Sequence, residues 1–204
     1  MYARTERLLL RPGYLEDAAA LAQAIGDPLV ARHLGRVPLP YGEADARDWL
    51  SQAGDPTDMR FVIMARTRGS LRLVGGIVVH WRDDDGGFGD GRGHHELGYW
   101  IARPYWGLGF ATEAGRAVLE IARAVGLPPL RAGHFVDNAA SGAVLRKLGF
   151  RATGRTVPRH SAARGEAVAC ALYEESDMGE LMPSDVTRPR FCPSIREEWR
   201  LQAA

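Results

Sequence analysis

Two stretches of the chain carry residue types that could do chemistry. The first is Glu96-Leu97-Gly98-Tyr99-Trp100-Ile101, a run of strand-forming residues with one carboxylate at its head. The second is Arg103-Pro104-Tyr105-Trp106-Gly107-Leu108-Gly109-Phe110-Ala111-Thr112-Glu113-Ala114, where a glycine-rich turn runs into a helix. The backbone N–H groups at a helix start lack intrahelical partners and sit at the positive end of the macrodipole, so such a turn is prepared for an anion. Gly107 and Gly109 let the backbone come close to a ligand, and phosphate fits that geometry. For Glu96 two readings stand: burial among Leu97, Tyr99 and Trp100 raises the carboxyl pKa and suits it to accept a proton, or it is a strand-end glutamate in solvent or paired with a nearby arginine.

Other phosphate chemistries fit less well. Gly107-Leu108-Gly109-Phe110-Ala111-Thr112 fails the dinucleotide fingerprint at its third glycine, and the sequence has no Gly-Lys-Ser/Thr loop for nucleotide hydrolysis. His94-His95-Glu96 looks like a metal cluster, but successive strand residues point to opposite faces, so the three do not converge on one ion. The acidic stretch Asp83 to Gly93 lacks the spacing of a calcium loop and reads as a flexible, solvated hairpin loop. His33, His80, His134 and His160 stand singly and read as packed or surface residues.

The 204 residues fit one domain with a core of its own, and 26 Lys+Arg against 25 Asp+Glu leave a net charge of +1. Neither nucleic acid nor an acidic membrane is expected as a partner on that balance. Cys170 and Cys192 show no paired spacing, and the N-terminus has only three consecutive leucines ahead of polar residues, so a reducing cytoplasm is the expected location.

The elements that must position the two stretches follow from periodicity. Leu8 to Arg11 reads as a strand, Glu16 to Ile25 as a helix, Pro28 to Leu34 as a second short helix, and Glu43 to Ala53 as a third with Trp49 and Leu50 inward. Arg60–Arg66 and Leu71–Trp81 form a hairpin, in which Gly75-Gly76 marks a bulge or a close backbone approach. Past the glycine turn come a helix ended at Gly126, a strand from Leu130 to Val136, a helix opened by Asp137-Asn138 and capped by Gly149, and strands from Phe150 onward and over Ala167–Tyr173. Arg155 to Gly165, basic and polar, reads as a loop. The expected domain is 1–175, with 176–204 a tail that is disordered or strapped across a partner subunit in a homodimer.

Two segments together resemble the acyl-CoA motifs of the GNAT superfamily of N-acetyltransferases: Arg103 to Ala114, and Asn138-Ala139-Ala140-Ser141-Gly142-Ala143-Val144-Leu145-Arg146-Lys147-Leu148-Gly149-Phe150. Glu6 to Pro12 and the Glu96–Ile101 strand resemble the branch that acetylates ribosomal-protein N-termini. The resemblance implies an α/β (α+β) fold: a mixed sheet flanked by helices that splays between its fourth and fifth strands, with acetyl-CoA in the opening. It implies a cofactor site at Trp106, Gly107, Leu108, Gly109, Phe110, Ala111 and Thr112, whose backbone holds the pyrophosphate without a metal, and at Asn138, which meets the pantetheine arm or simply caps its helix. Trp106 stands where family members usually carry Arg or Gln, which removes one phosphate contact. The implied chemistry is direct attack of a primary amine, from a peptide N-terminus or a small molecule, on the thioester. Glu96 is then the candidate base and Ser141 the orienting or proton-donating residue. Leu145 occupies the place of the family's acidic tyrosine, and Tyr173 is a second candidate for that role. A non-catalytic acyl-CoA-binding module and an enzyme using a longer acyl chain are the alternatives.

Overall fold

The computed structural model describes residues 1–52, 58–67 and 70–176. The expected tail from residue 177 onward lies outside them. Among the described residues eight strands form one sheet: β1 (Ala3–Arg4), β2 (Leu8–Arg11), β3 (Met59–Thr67), β4 (Ser70–Arg82), β5 (His94–Ile101), β6 (Arg131–Phe135), β7 (Phe150–Ser161) and β8 (Glu166–Glu175), in spatial order β1-β2-β3-β4-β5-β6-β8-β7. All neighbours are antiparallel except β5 and β6, which run parallel and pair only through Glu96↔Arg131 and Leu97↔Ala132. Beyond that pair the strands part, so Gly98 to Ile101 and Gly133 to Phe135 face an opening. The splay lies between the fifth and sixth strands rather than the fourth and fifth because the two-residue β1, unmarked by any apolar run, adds a strand ahead of β2.

Among the described residues five α-helices flank the sheet: α1 (Ala18–Ile25), α2 (Pro28–Ala31), α3 (Glu43–Ser51), α4 (Phe110–Ala124) and α5 (Ala139–Lys147). Phe110, Ala114, Val118, Leu119 and Ala122 recur at helical spacing, and the stripe they make packs α4 on Leu8, Leu10, Ile77, Leu97 and Ile101 in the principal core. Burying such a side chain contributes roughly 1.5–3 kcal/mol, so this stripe fixes where the helix start sits relative to the splay. On the opposite face, Ala18 and Leu21 of α1 and Ala46 of α3 pack with Trp49, Leu50 and Trp100. A third cluster, Phe88, Phe135, Cys170 and Leu172, closes the far end of that face.

The hairpin of β3 and β4 forms as expected, and its irregularity falls beside Gly75: Ile63 pairs with Gly75 while Met64 pairs with Leu73, leaving Val74 as the extra residue. A Cβ at Gly75 would stand 2.3 Å from the Trp100 carbonyl oxygen, which is the close approach the glycine permits.

One loop expectation is corrected. Arg155 to Ser161 belong to β7, the last strand of the sheet order among the described residues, and they are mostly charged and polar with no apolar period to betray a strand. The 83–93 segment is the exposed hairpin loop expected between β4 and β5, and it is latched at several points. Phe88 is buried, Asp84 pairs with Arg82, Asp90 pairs with Arg131, the Phe88 carbonyl accepts from Arg155, and the Gly86 carbonyl accepts from Arg159 at 3.1 Å. No described helix is long and apolar enough to cross a membrane.

Candidate active site at the strand splay

The glycine turn follows directly from the end of β5. Gly107 and Gly109 adopt φ of 76° and 81°, the left-handed region that a side chain disfavours. The first intrahelical bond of α4 runs from the Glu113 N–H to the Gly109 carbonyl at 3.0 Å, so the N–H groups of Phe110, Ala111 and Thr112 precede the ladder and are directed out of the helix start. This is a cradle of the size and polarity that a pyrophosphate requires. Trp106 contributes nothing charged. Its indole Nε1–H donates to the Ile101 carbonyl at 2.6 Å and ties the turn to the strand it leaves.

Sequence reasoning missed Arg7. From the loop before β2 its guanidinium donates to the Leu108 carbonyl at 3.0 Å and to Glu113 at 2.7 Å, and it lies over the Phe110 ring. Glu113 in turn accepts from the Thr5 hydroxyl and the Arg7 N–H. A cation thus stands beside the turn, though not at the motif position Trp106 holds. An open groove of about 540 Å³ adjoins it, and Arg7, Arg116 and Lys147 are among its lining residues. The nearest sequence signal was the Glu6-Arg7 pair ahead of the first strand, whose partner lies 106 residues away.

On the other side of the opening, Asn138 caps α5, its Oδ1 accepting from the Ser141 N–H at 3.2 Å. The Ser141 hydroxyl is 2.8 Å from the Tyr99 hydroxyl, and Tyr99 also donates to the Ser141 carbonyl at 3.1 Å. Burial pushes the Tyr99 phenol up to about 12, against the opposing hydrogen bond from Ser141. Tyr99, Leu97 and Ile101 share the α4–α5 face of β5, so the structure brings Ser141, Asn138 and the glycine turn around one opening.

Glu96 stands on the reverse face. The residue is 7% exposed, and its carboxylate pairs with Arg159 through Oε1, while Oε2 has Arg82 Nε at 3.5 Å and His94 Nε2 at 3.6 Å. Burial alone would raise its pKa, but His94 and the two guanidinium groups outweigh it and hold the carboxyl at about 2. At 3.6 Å the imidazole is too distant for a hydrogen bond, so the arginines dominate that lowering. Of the two readings of Glu96, the arginine-paired carboxylate is the one observed, and no rise toward neutrality follows. A carboxylate desolvated among apolar neighbours would behave as anticipated; one desolvated against Arg159, which the sequence reading placed in a loop, does not.

His134 is a packed residue, as expected, with its ring against that of Tyr173. It lies on β6 past the last pair with β5, its Nδ1 2.8 Å from the Phe135 carbonyl and its Nε2 3.5 Å from the Tyr173 hydroxyl. Leu145, in the place of the family tyrosine, is fully buried in the core.

Comparison with known proteins gives the decisive observation. The family described as Acetyltransferase (GNAT) domain matches residues 7–151. The chain belongs to the GNAT acetyltransferase family. Membership implies transfer of an acetyl group from acetyl-CoA, and the left-handed glycines with the N–H groups at 110–112 that precede the helix ladder suit that donor. This GNAT chain is 29% identical over 155 residues to an uncharacterised N-acetyltransferase, p20, of Bacillus licheniformis, covering 74% of this chain and 82% of the relative. A GNAT-family acetyltransferase of Bacillus anthracis superposes with a TM-score of 0.68 at 24% identity, covering 85% of this chain and 97% of that one. A ribosomal L7/L12 alpha-N-protein acetyltransferase solved with coenzyme A superposes at 0.67 with 16% identity, over 86% of this chain and 97% of the other. At those identities the structures establish the GNAT fold, with the open mixed sheet and flanking helices expected from the sequence.

Proposed function

We propose that this GNAT protein acetylates a primary amine by direct attack of the amine on the thioester of acetyl-CoA, both bound at once. The observation that carries the reading is the coincidence, at one opening in the sheet, of the left-handed glycine turn at 107–109 and the Asn138-capped start of α5. In this reading the N–H groups from Leu108 to Thr112 receive the pyrophosphate, with Trp106 and Gly107 shaping the approach and Phe110 anchoring the helix in the core. Asn138 flanks the pantetheine arm. Backbone N–H groups freed where β5 leaves β6 polarise the thioester carbonyl, and Ser141, fixed by Tyr99, orients it.

The role proposed for Glu96 changes with its surroundings. A carboxyl with pKa about 2 holds a proton too weakly to be an efficient base near pH 7. We assign it instead to the acceptor side as a fixed anion that orders Arg159 and Arg82, and through the Gly86 carbonyl the 83–93 segment. The attacking amine then gives its proton to water.

The acceptor is proposed as a peptide N-terminus or a small-molecule amine entering from the α1–α3 face. Leu145 favours a second reading, a non-catalytic acyl-CoA-binding module. Release of free thiol from acetyl-CoA across a panel of peptide and small amines separates the two. Turnover with any acceptor supports the enzyme. Tight binding of acetyl-CoA with no turnover on any member of the panel supports the module.

A further inference from the structure

We propose that the acceptor is an amine carrying a carboxylate within a few bonds of its nitrogen, and that Arg36 and Arg159 receive this carboxylate on the reverse face of the opening. The inference rests on the acetyl-CoA reading above and names the acceptor class for that site. Leu97↔Ala132 is the last pair of β5 and β6, so Gly98 and Gly133 are the first residues past the fork on the Glu96 side of the sheet. A Cβ on Gly133 would lie 3.2 Å from Arg159 Nη1 and 2.9 Å from Cys170 Sγ. The guanidinium from β7 therefore crosses β6 at the fork itself to reach Glu96. Gly98 is two residues, about 7 Å of strand, beyond Glu96, so an amine that approaches the opening over Gly98 passes close to the Arg159 head group.

A second arginine stands over the same path. The Gly35 carbonyl accepts from the Ala162 N–H at 2.9 Å and the Leu34 carbonyl from the Ser161 hydroxyl at 3.3 Å, which pins this loop to the end of β7. Farther along, Tyr41 packs with Trp100 of β5 in the cluster under α1 and α3. The 35–41 segment thus runs across the reverse face from β7 to β5, over the parted strands, and Arg36 is its first side chain. Burial lowers the pKa of His80, the cross-strand partner of Glu96, against the opposing charge of Glu96, and Arg36 is near enough to add to that lowering.

The ion pairs on this face leave one cation over. Glu96 is met by Arg159 and Arg82, Arg82 also by Asp84, and Asp137 by Arg32 and Arg164. Asp58, the other carboxylate that acts on His80, accepts from the Trp81 N–H at 3.1 Å. Arg36 is exposed and has no ion pair among the described residues. Arg159 directs two of its five N–H groups to Glu96 and the Gly86 carbonyl, and the others have no partner among the described residues. A carboxylate fits the planar fork of a guanidinium, so an acidic acceptor supplies the anion that Arg36 lacks. The same acceptor with an amide in that place supplies none.

Matched acceptors that differ only in this group test the assignment: peptides beginning with Asp against the same peptides beginning with Asn, and free alanine against alaninamide. Free thiol released from saturating acetyl-CoA is the readout, with acceptor concentrations counted as neutral amine. The wild-type protein is expected to favour the acid member of at least one pair by at least about tenfold in kcat/KM, carried by KM, and the pair that responds tells a peptide from a free amino acid. Arg36→Gln, at an exposed position, is expected to cut that preference at least about fivefold by raising KM for the acid member, while Arg36→Lys, which keeps the charge, retains most of it. Equal kcat/KM within every pair, or a preference that Arg36→Gln leaves intact, overturns the acidic-acceptor assignment and leaves the acetyl-CoA reading standing. Acetyl-CoA that binds without turnover on any pair overturns the assignment as well. Failure of the wild-type protein to bind acetyl-CoA by calorimetry overturns the acetyl-CoA reading, and this assignment with it.

Discussion

Replacing Glu96 by glutamine tests whether the carboxylate is an ion-pair anchor or a base poised near neutrality. In the fold its pKa falls from 4.5 to about 2, a difference equivalent to about 3 kcal/mol of folding stability. Because the folded value is depressed, that contribution is fully present above pH 4.5 and is lost as pH falls through about 2. Glu96→Gln removes the counter-charge of Arg159 and leaves a guanidinium that is 19% exposed without its carboxylate, a change that typically costs about 3–5 kcal/mol. The expected loss at pH 7 is therefore about 3 kcal/mol, which moves a urea midpoint by roughly 1.5 M for an m-value of about 2 kcal/mol/M. At pH 3 roughly half of the difference between variant and wild type should have gone. A carboxyl with a raised pKa predicts the reverse, a variant as stable as wild type or more so at pH 7, with the wild type gaining relative stability as pH falls. Equal midpoints at pH 7, or a gap that does not narrow at pH 3, would refute the ion-pair account.

Other perturbations separate packing from binding. Gly75→Ala places a methyl 2.3 Å from the Trp100 carbonyl oxygen, a backbone atom that cannot turn aside, and should lower stability by at least about 2 kcal/mol in urea unfolding. Asn138→Ala should cost about 1 kcal/mol through loss of the α5 cap, while Asn138→Ser should recover most of that stability; a CoA affinity that stays low in the serine variant would mark a contact beyond capping. Gly109→Asp, which puts bulk and negative charge at the cradle, should weaken CoA binding at least about tenfold by calorimetry; unchanged affinity would place the pyrophosphate elsewhere.

The features legible in the sequence were those written over short distances. The glycine turn, the amphipathic stripe of α4 and the Asn138 cap each depend on residues within a turn or two of one another, and the structure places them around one opening. What escaped depends on long-range partners. The 83–93 segment looks flexible by composition, yet it is held by Arg131, Arg155 and Arg159, which lie 41, 67 and 73 residues from their respective partners. The same arginines sit on β6 and on β7, whose mostly charged and polar residues mimic a loop. For Glu96 the sequence leaves an arginine partner open, but it does not show that the cation crosses to it from β7. His134 and Tyr173 drew little weight because each stands alone in sequence and only β-sheet pairing brings them together.

The central claim, that the glycine turn and the splay hold acetyl-CoA, is tested most directly by isothermal calorimetry of the purified protein with acetyl-CoA, paired with thermal unfolding in its presence. One acetyl-CoA should bind per chain, and at a ligand concentration about 100 times the dissociation constant the folded state should gain about 2.7 kcal/mol, seen as a rise in Tm. No binding heat and no shift in Tm at millimolar acetyl-CoA would contradict it.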